Sequence, residues 1–183
     1  MIFFCSDWHF NHDKDFIWKD RGFKAIQEMN KVIVDRHNFL VEREDEVYCL
    51  GDCCMGPNLE ANKELITSMH GKIHIIRGNH DSDARIEMYK TCSNVVEICE
   101  GKYFKYGKYL FYLSHYPCLC SNLDVDKPLK MRRISLCGHS HTTDPFVDWD
   151  KGLIYHVEMD AHLCFPSPID AIIEDIKEKM TSE

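Results

Sequence analysis

Short apolar runs alternate along the chain with longer stretches in which apolar residues recur every three or four positions. Ile2-Phe3-Phe4-Cys5, Val47-Tyr48-Cys49-Leu50, Ile73-His74-Ile75-Ile76 and Ile134-Ser135-Leu136-Cys137 read as buried strands, being short, rich in β-branched or aromatic residues and bounded by polar turns. Ile26, Met29, Ile33 and Leu40 keep near-helical spacing, which predicts a long amphipathic helix from Phe23 to about Leu40 with Lys31, Asp35 and Arg36 towards solvent. Pro57-Asn58 opens another helix, Asn58 as N-cap and Leu59, Leu65, Ile66 and Met69 as its buried stripe, and Gly71 ends it. A short helix is predicted over Ala84 to Lys90. The pattern then shifts to strands at Val95–Ile98, Tyr103–Tyr106 and Tyr109–Leu113, the last two a hairpin about Gly107-Lys108. One more strand is expected over Leu153 to Met159. The chain closes on a helix with Ser167 as N-cap, Pro168 at the first helical position and Asp170 three residues after the cap. Ile169, Ile172, Ile173, Ile176 and Met180 form its apolar face.

Strands alternating with helices predict an α/β fold with a largely parallel sheet. No repeat, low-complexity tract or linker interrupts the 183 residues, so 1–183 is read as one domain. A 44% apolar and 28% charged composition is that of a soluble globular protein. A formal net charge of -8 supplies no basic field for nucleic acid, which weighs against a nucleic-acid partner. It leaves phosphorylated substrates open, because bound cations reverse charge locally. The N-terminus has no basic segment ahead of its short apolar run, and no run reaches the ~20 residues of a membrane span. Ten cysteines lack zinc-finger spacing, and Cys5, Cys49, Cys99 and Cys137 fall in or beside strand-like runs, where a thiol acts as a small hydrophobe. The expectation is reduced thiols and a cytoplasmic protein.

The chemistry gathers where the strands end. Asp7 and His9 follow the first run; Asp52 follows Gly51 after the second; Gly78-Asn79-His80-Asp81 follows the third. His115 follows Leu113-Ser114, and His139 and His141 follow Gly138. In open α/β sheets, ligands bind outside the C-terminal ends of the strands. Parallel strands therefore carry all these groups to one crevice. Extended backbone puts residues two apart on the same side, so Asp7 and His9 converge and Trp8 turns into the core. Imidazole, carboxylate and one amide suit hard-to-borderline divalent ions. Seven such ligands exceed what one ion takes and match two ions sharing a carboxylate, an arrangement suited to displacement at phosphorus.

In this order, D-x-H, G-D, G-N-H-D, S-H-x-P and G-H-S-H resemble the calcineurin-like metallophosphoesterases, and more closely the small single-domain phosphoesterases of bacteria and phages. The resemblance implies a four-layer α/β/β/α sandwich with two central mixed β-sheets and a metal site at strand C-terminal ends. It implies two divalent metal ions, Mn²⁺ foremost, with Fe²⁺, Zn²⁺ or Ni²⁺ as alternatives. Asp7, His9 and His141 would hold one ion, Asn79, His115 and His139 the other, and Asp52 would bridge them. His80 would be the general acid. A metal-bridging hydroxide would be the nucleophile, attacking a phosphomonoester or phosphodiester of a small molecule or nucleotide without a covalent phospho-enzyme. The other readings of such a domain are a non-catalytic protein-interaction scaffold and a nuclease. His80, which a scaffold does not need, favours the enzyme.

Two positions depart from the family pattern. Met55 stands where many relatives carry a second aspartate, so Asp81 or another group would have to orient His80. Trp8 and Asn11 replace a hydroxyl residue and a glycine. Arg77, before the glycine of G-N-H-D, is either a phosphate contact or an exposed strand-end residue. Lys127, Lys130, Arg132 and Arg133 are either a steering patch or, preferentially, a solvated loop.

Overall fold

A computed structural model describes residues 1–120 and 131–181. The strands are β1 (Ile2–Cys5), β2 (Glu46–Cys49), β3 (Lys72–Ile76), β4 (Val95–Cys99), β5 (Lys102–Tyr106), β6 (Tyr109–Leu113), β7 (Arg133–Cys137), β8 (Ile154–His156) and β9 (Ser167–Pro168). The helices are α1 (Asp15–Trp18), α2 (Ile26–Leu40), α3 (Leu59–Ser68), α4 (Asp83–Tyr89), α5 (Trp149–Gly152) and α6 (Ile169–Thr181). One sheet runs β4-β3-β2-β1-β9, parallel except for β9; the other runs β5-β6-β7-β8, antiparallel only at β5–β6. Two mixed sheets with helices packed on them is the α/β arrangement expected.

Strand alternation divides the apolar residues between two cores. Phe3, Cys5, Val47, Cys49, Ile73 and Ile75 point to one face of the first sheet, where Met29 and Ile33 of α2, Ile66 of α3 and Met88 of α4 cover them. Phe4, Tyr48, Leu50 and Ile76 point the other way, towards Phe111, Leu113, Ile134, Leu136 and Tyr155 of the second sheet. Ile169, Ile172, Ile173 and Ile176 of α6 complete this inner core. The strand ends carrying the metal-ligand candidates thus rest on two apolar cores.

Several expectations need correction. Ser167 and Pro168 do not begin the last helix: they form β9, with Phe3 opposite Pro168 and Phe4 opposite Ser167. Proline is tolerated there because β9 is an edge strand. The predicted strand over Leu153 to Met159 is ladder only at Ile154–His156, although Glu158 bridges to Ser6. The one-turn helices α1 and α5 were not anticipated; they are too short to show a period. Lys127 and Lys130 lie outside the described residues. Arg133 starts β7, at the strand end opposite His139, and stacks on Tyr103 with its guanidinium carbon 5.4 Å from the ring centroid. Arg77 donates to the Asp81 carbonyl and the Asp83 carboxylate, which leaves it no part in the crevice. Trp8 is fully buried against Phe10 and His37, in the core as expected. All ten cysteines are free.

Candidate metal centre

The loops after β1, β2, β3, β6 and β7 converge, but not through extended backbone. Asp7, His9, Asn11, Asp52, His139 and His141 have φ between 50° and 75°, in the left-handed region. Side chains rarely adopt it, at a cost of roughly 1–3 kcal/mol each, and such residues cluster at functional sites. Backbone bonds between loops hold the conformations: Asp7 N–H donates to Gly51 O at 2.9 Å and His9 N–H to Asp52 O at 3.0 Å. Asp7 and His9 converge as predicted, through this turn and not through strand alternation. Close approach also explains two glycines. A Cβ on Gly138 would lie 2.2 Å from Asp7 Oδ2, and one on Gly78 would lie 2.2 Å from Asp52 Oδ1.

His9 Nε2 and His141 Nε2 are 3.1 Å apart, with Asp7 Oδ1 at 3.6 and 3.8 Å from them. His115 Nε2 lies 2.8 Å from Asn79 Oδ1, and His139 Nδ1 lies 3.0 Å from that oxygen and 3.2 Å from His115 Nε2. Asp52 Oδ2 stands between the groups, 3.7 Å from His9 Nε2 and 3.5 Å from His115 Nε2. All seven predicted ligands are thus brought together. Burial raises the Asp7 carboxyl, but the imidazoles of His9, His141 and His115 outweigh it and hold the pKa at about 2. Burial pushes His9 and His139 down, so their nitrogens are free to act as ligands.

The donor atoms fit cations. Asp7 Oδ1 is buried and has no hydrogen-bond partner. With His115 Nδ1 donating to Leu50 O at 2.8 Å, Nε2 presents a lone pair to the Asn79 oxygen. With His141 Nδ1 donating to Asp160 Oδ2 at 3.0 Å, its Nε2 likewise presents a lone pair to His9. Facing lone pairs repel unless a proton or a metal ion lies between them. The trio of Asp7, His9 and His141 and the trio of Asp7, Asp52 and His115 are close enough to hold an ion.

Two residues unnoticed in the sequence support this cluster. Asp160, just beyond β8, accepts from His141 and from Arg21, whose Nε and Nη2 reach its two oxygens at 3.0 and 2.8 Å. Burial opposes ionisation of Asp160, yet the His141 and Arg21 bonds drive its pKa far below the usual carboxylate range. Arg21 Nη2 also donates to Asp7 O at 2.8 Å and Nη1 to Trp8 O at 3.3 Å, clamping the first loop. A strand-end carboxylate was a readable signal for Asp160; Arg21 sits in an irregular segment with none.

His80 lines the cavity with its side chain 43% exposed, Nε2 3.9 Å from Asp52 Oδ2. Asp81 does not orient it. The Asp81 carboxylate turns inward, accepting from the backbone N–H of Asp52, Cys53 and Gly78 and from Tyr89 Oη. His80 is placed through its backbone: its N–H donates to Asp52 Oδ1 at 2.9 Å and its carbonyl accepts from Arg85, which also reaches the Met55 carbonyl. His12 lies at the rim with Nδ1 3.1 Å from His9 Nδ1, whereas Asp13 is exposed and takes no part in the lining.

Among the described residues, no helix is long and apolar enough to cross a membrane. The chain is 28% identical over 181 residues to the uncharacterized protein MJ1445 of Methanocaldococcus jannaschii, covering 96% of this chain and 91% of that one. Its fold matches the crystal structure of a protein of unknown function, AQ665 from Aquifex aeolicus, with a TM-score of 0.73 at 21% identity over 95% of this chain and 98% of that one. YfcE, a phosphoesterase from E. coli, aligns at a TM-score of only 0.43 and 17% identity over 86% of this chain and 77% of its own, too weakly to support an argument. The calcineurin-like phosphoesterase superfamily domain matches residues 1–157, and the chain belongs to that superfamily.

Proposed function

We propose that the protein hydrolyses phosphoric esters with two divalent metal ions. Asp7, His9 and His141 hold one, Asn79, His115 and His139 the other, and Asp52 stands between. The observation that carries the reading is the placement of Asp52 Oδ2, 3.7 Å from one imidazole group and 3.5 Å from the other. The mixed nitrogen and oxygen donors suit hard-to-borderline divalent ions such as Mn²⁺, Fe²⁺ or Zn²⁺. When bound, such ions neutralise phosphoryl charge and lower the pKa of water towards neutrality.

The chain's own residues supply the rest. Asp7, whose pKa the surrounding imidazoles hold at about 2, and Asp52, both buried, form the carboxylate floor of the crevice. His80 faces the cavity beside them and is the group placed to give a proton to the departing alkoxide. No hydroxyl or thiol lines the cavity among the described residues, and this reading takes water as the nucleophile. His80 favours an enzyme over a scaffold, because an exposed imidazole beside the ligand set serves no packing role.

Two variants test the assignment. Asp52→Asn is expected to lose bound metal and activity together. His80→Asn is expected to keep both ions and lose roughly 10²–10⁴ in turnover. Elemental analysis beside kinetics decides: full metal and activity in Asp52→Asn, or metal loss in His80→Asn, would overturn the roles.

A further inference from the structure

The cavity over the cluster, about 450 Å³, extends well beyond a single phosphoryl group. Its outer wall comes from the segment between β1 and α2: His12, Phe16, Ile17 and Asp20. Phe16 is 63% exposed, and its ring meets His12 edge-on at 5.8 Å. A flat apolar face therefore stands at the mouth, one residue removed from the ligands, since His12 itself touches His9. Ile17, buried, backs the same wall.

Charge narrows the choice further. Asp20 and Asp160 line the cavity, whereas no lysine or arginine does among the described residues. The nearby arginines are committed elsewhere: Arg21 to Asp160 and the first loop, Arg77 to Asp81 and Asp83, Arg85 to the His80 and Met55 carbonyls. Asp160 is neutralised by Arg21. With no lysine or arginine in the lining among the described residues and the Asp20 carboxylate at the wall, a monoanion is favoured over a dianion or polyphosphate.

Resting on the two-metal reading above, we propose that the substrate is a monoanionic phosphodiester whose ester group carries an aromatic or similarly flat apolar ring, seated against Phe16 and Ile17. Ring contact at Phe16 sets the preference for the ester group, and the Asp20 carboxylate disfavours a second negative charge.

The test uses the full chain loaded with Mn²⁺ and esters sharing one leaving group: phenyl p-nitrophenyl phosphate, methyl p-nitrophenyl phosphate and the dianion p-nitrophenyl phosphate. The phenyl diester is expected to have the highest kcat/KM. Phe16→Ala should shrink the phenyl-to-methyl ratio roughly ten-fold, the range found for ring stacking. Asp20→Asn should raise the monoester relative to the phenyl diester by roughly three-fold. A wild-type preference for the monoester, or an unchanged phenyl-to-methyl ratio in Phe16→Ala, overturns the proposal. Diphenyl and dimethyl phosphate, titrated calorimetrically as inert ligands, separate this from failure of the esterase reading. If no ester is turned over, the esterase reading fails; tighter binding of diphenyl phosphate that Phe16→Ala abolishes still supports the ring site, and equal binding of the two refutes it.

Discussion

The Asp160 carboxylate shows how much of the centre lies behind its ligands. It fixes the His141 tautomer through Nδ1, and through Arg21 it is tied to the carbonyls of Asp7 and Trp8. Carboxylates in this position orient a metal-binding imidazole and raise its basicity; losing one costs about 10–100-fold in metal affinity or activity. Asp160→Asn is therefore expected to weaken one of the two ions by about that factor and spare the other, as read by competitive metal titration. Equal loss at both sites, or none, would mean Asp160 only packs the loop. The candidate ligands were legible in the sequence because each follows an apolar strand-like run, from Asp7 to His141. Asp160 obeyed the same rule after β8 and went unread because no recognised motif marked it. Arg21 had no local signal, since its partners are 14 and 139 residues away.

At the level of elements, the first loop is held from below by α2. Trp8 packs on His37, which is buried, donates Nε2–H to the His70 carbonyl at 2.9 Å and has no partner at Nδ1. Burial pushes its pKa down to about 4, against about 6.5 in an unfolded chain. Between those values the unfolded state binds the extra proton, so this contribution is complete above pH 6.5 and is lost as pH falls towards 4. Over that window it amounts to roughly 2–3 kcal/mol. Urea unfolding of metal-free protein at pH 7 and pH 4.5 should show wild type losing that much more stability than His37→Gln; equal losses would contradict the assignment. The same scale shows where local patterns mislead. Ser167-Pro168 followed by Asp170 reads as a helix start, yet pairing with Phe3 and Phe4, over 160 residues away, draws Ser167 and Pro168 into a strand. Pairing partners at such separation leave no trace in a local pattern. The long helix α2 and the α6 stripe from Ile169 to Ile176 were legible because period and burial agree, whereas Met180, read into that stripe, is exposed.

For the molecule as a whole, two sheets share an inner core and bring five strand-end loops to one place, where six non-glycine residues hold left-handed backbone. A chain of net charge -8 thereby buries Asp7 and Asp52 side by side with a ring of imidazoles, an arrangement that divalent cations stabilise. The central claim is that these residues hold two ions and that hydrolysis depends on them. The most direct test strips the protein of metal, refills it with Mn²⁺, and measures ions per chain and p-nitrophenyl ester hydrolysis on the same preparation. The account predicts about two ions per chain, no turnover when stripped and turnover restored on refilling. Failure to bind any ion, or hydrolysis unaffected by stripping, would contradict it.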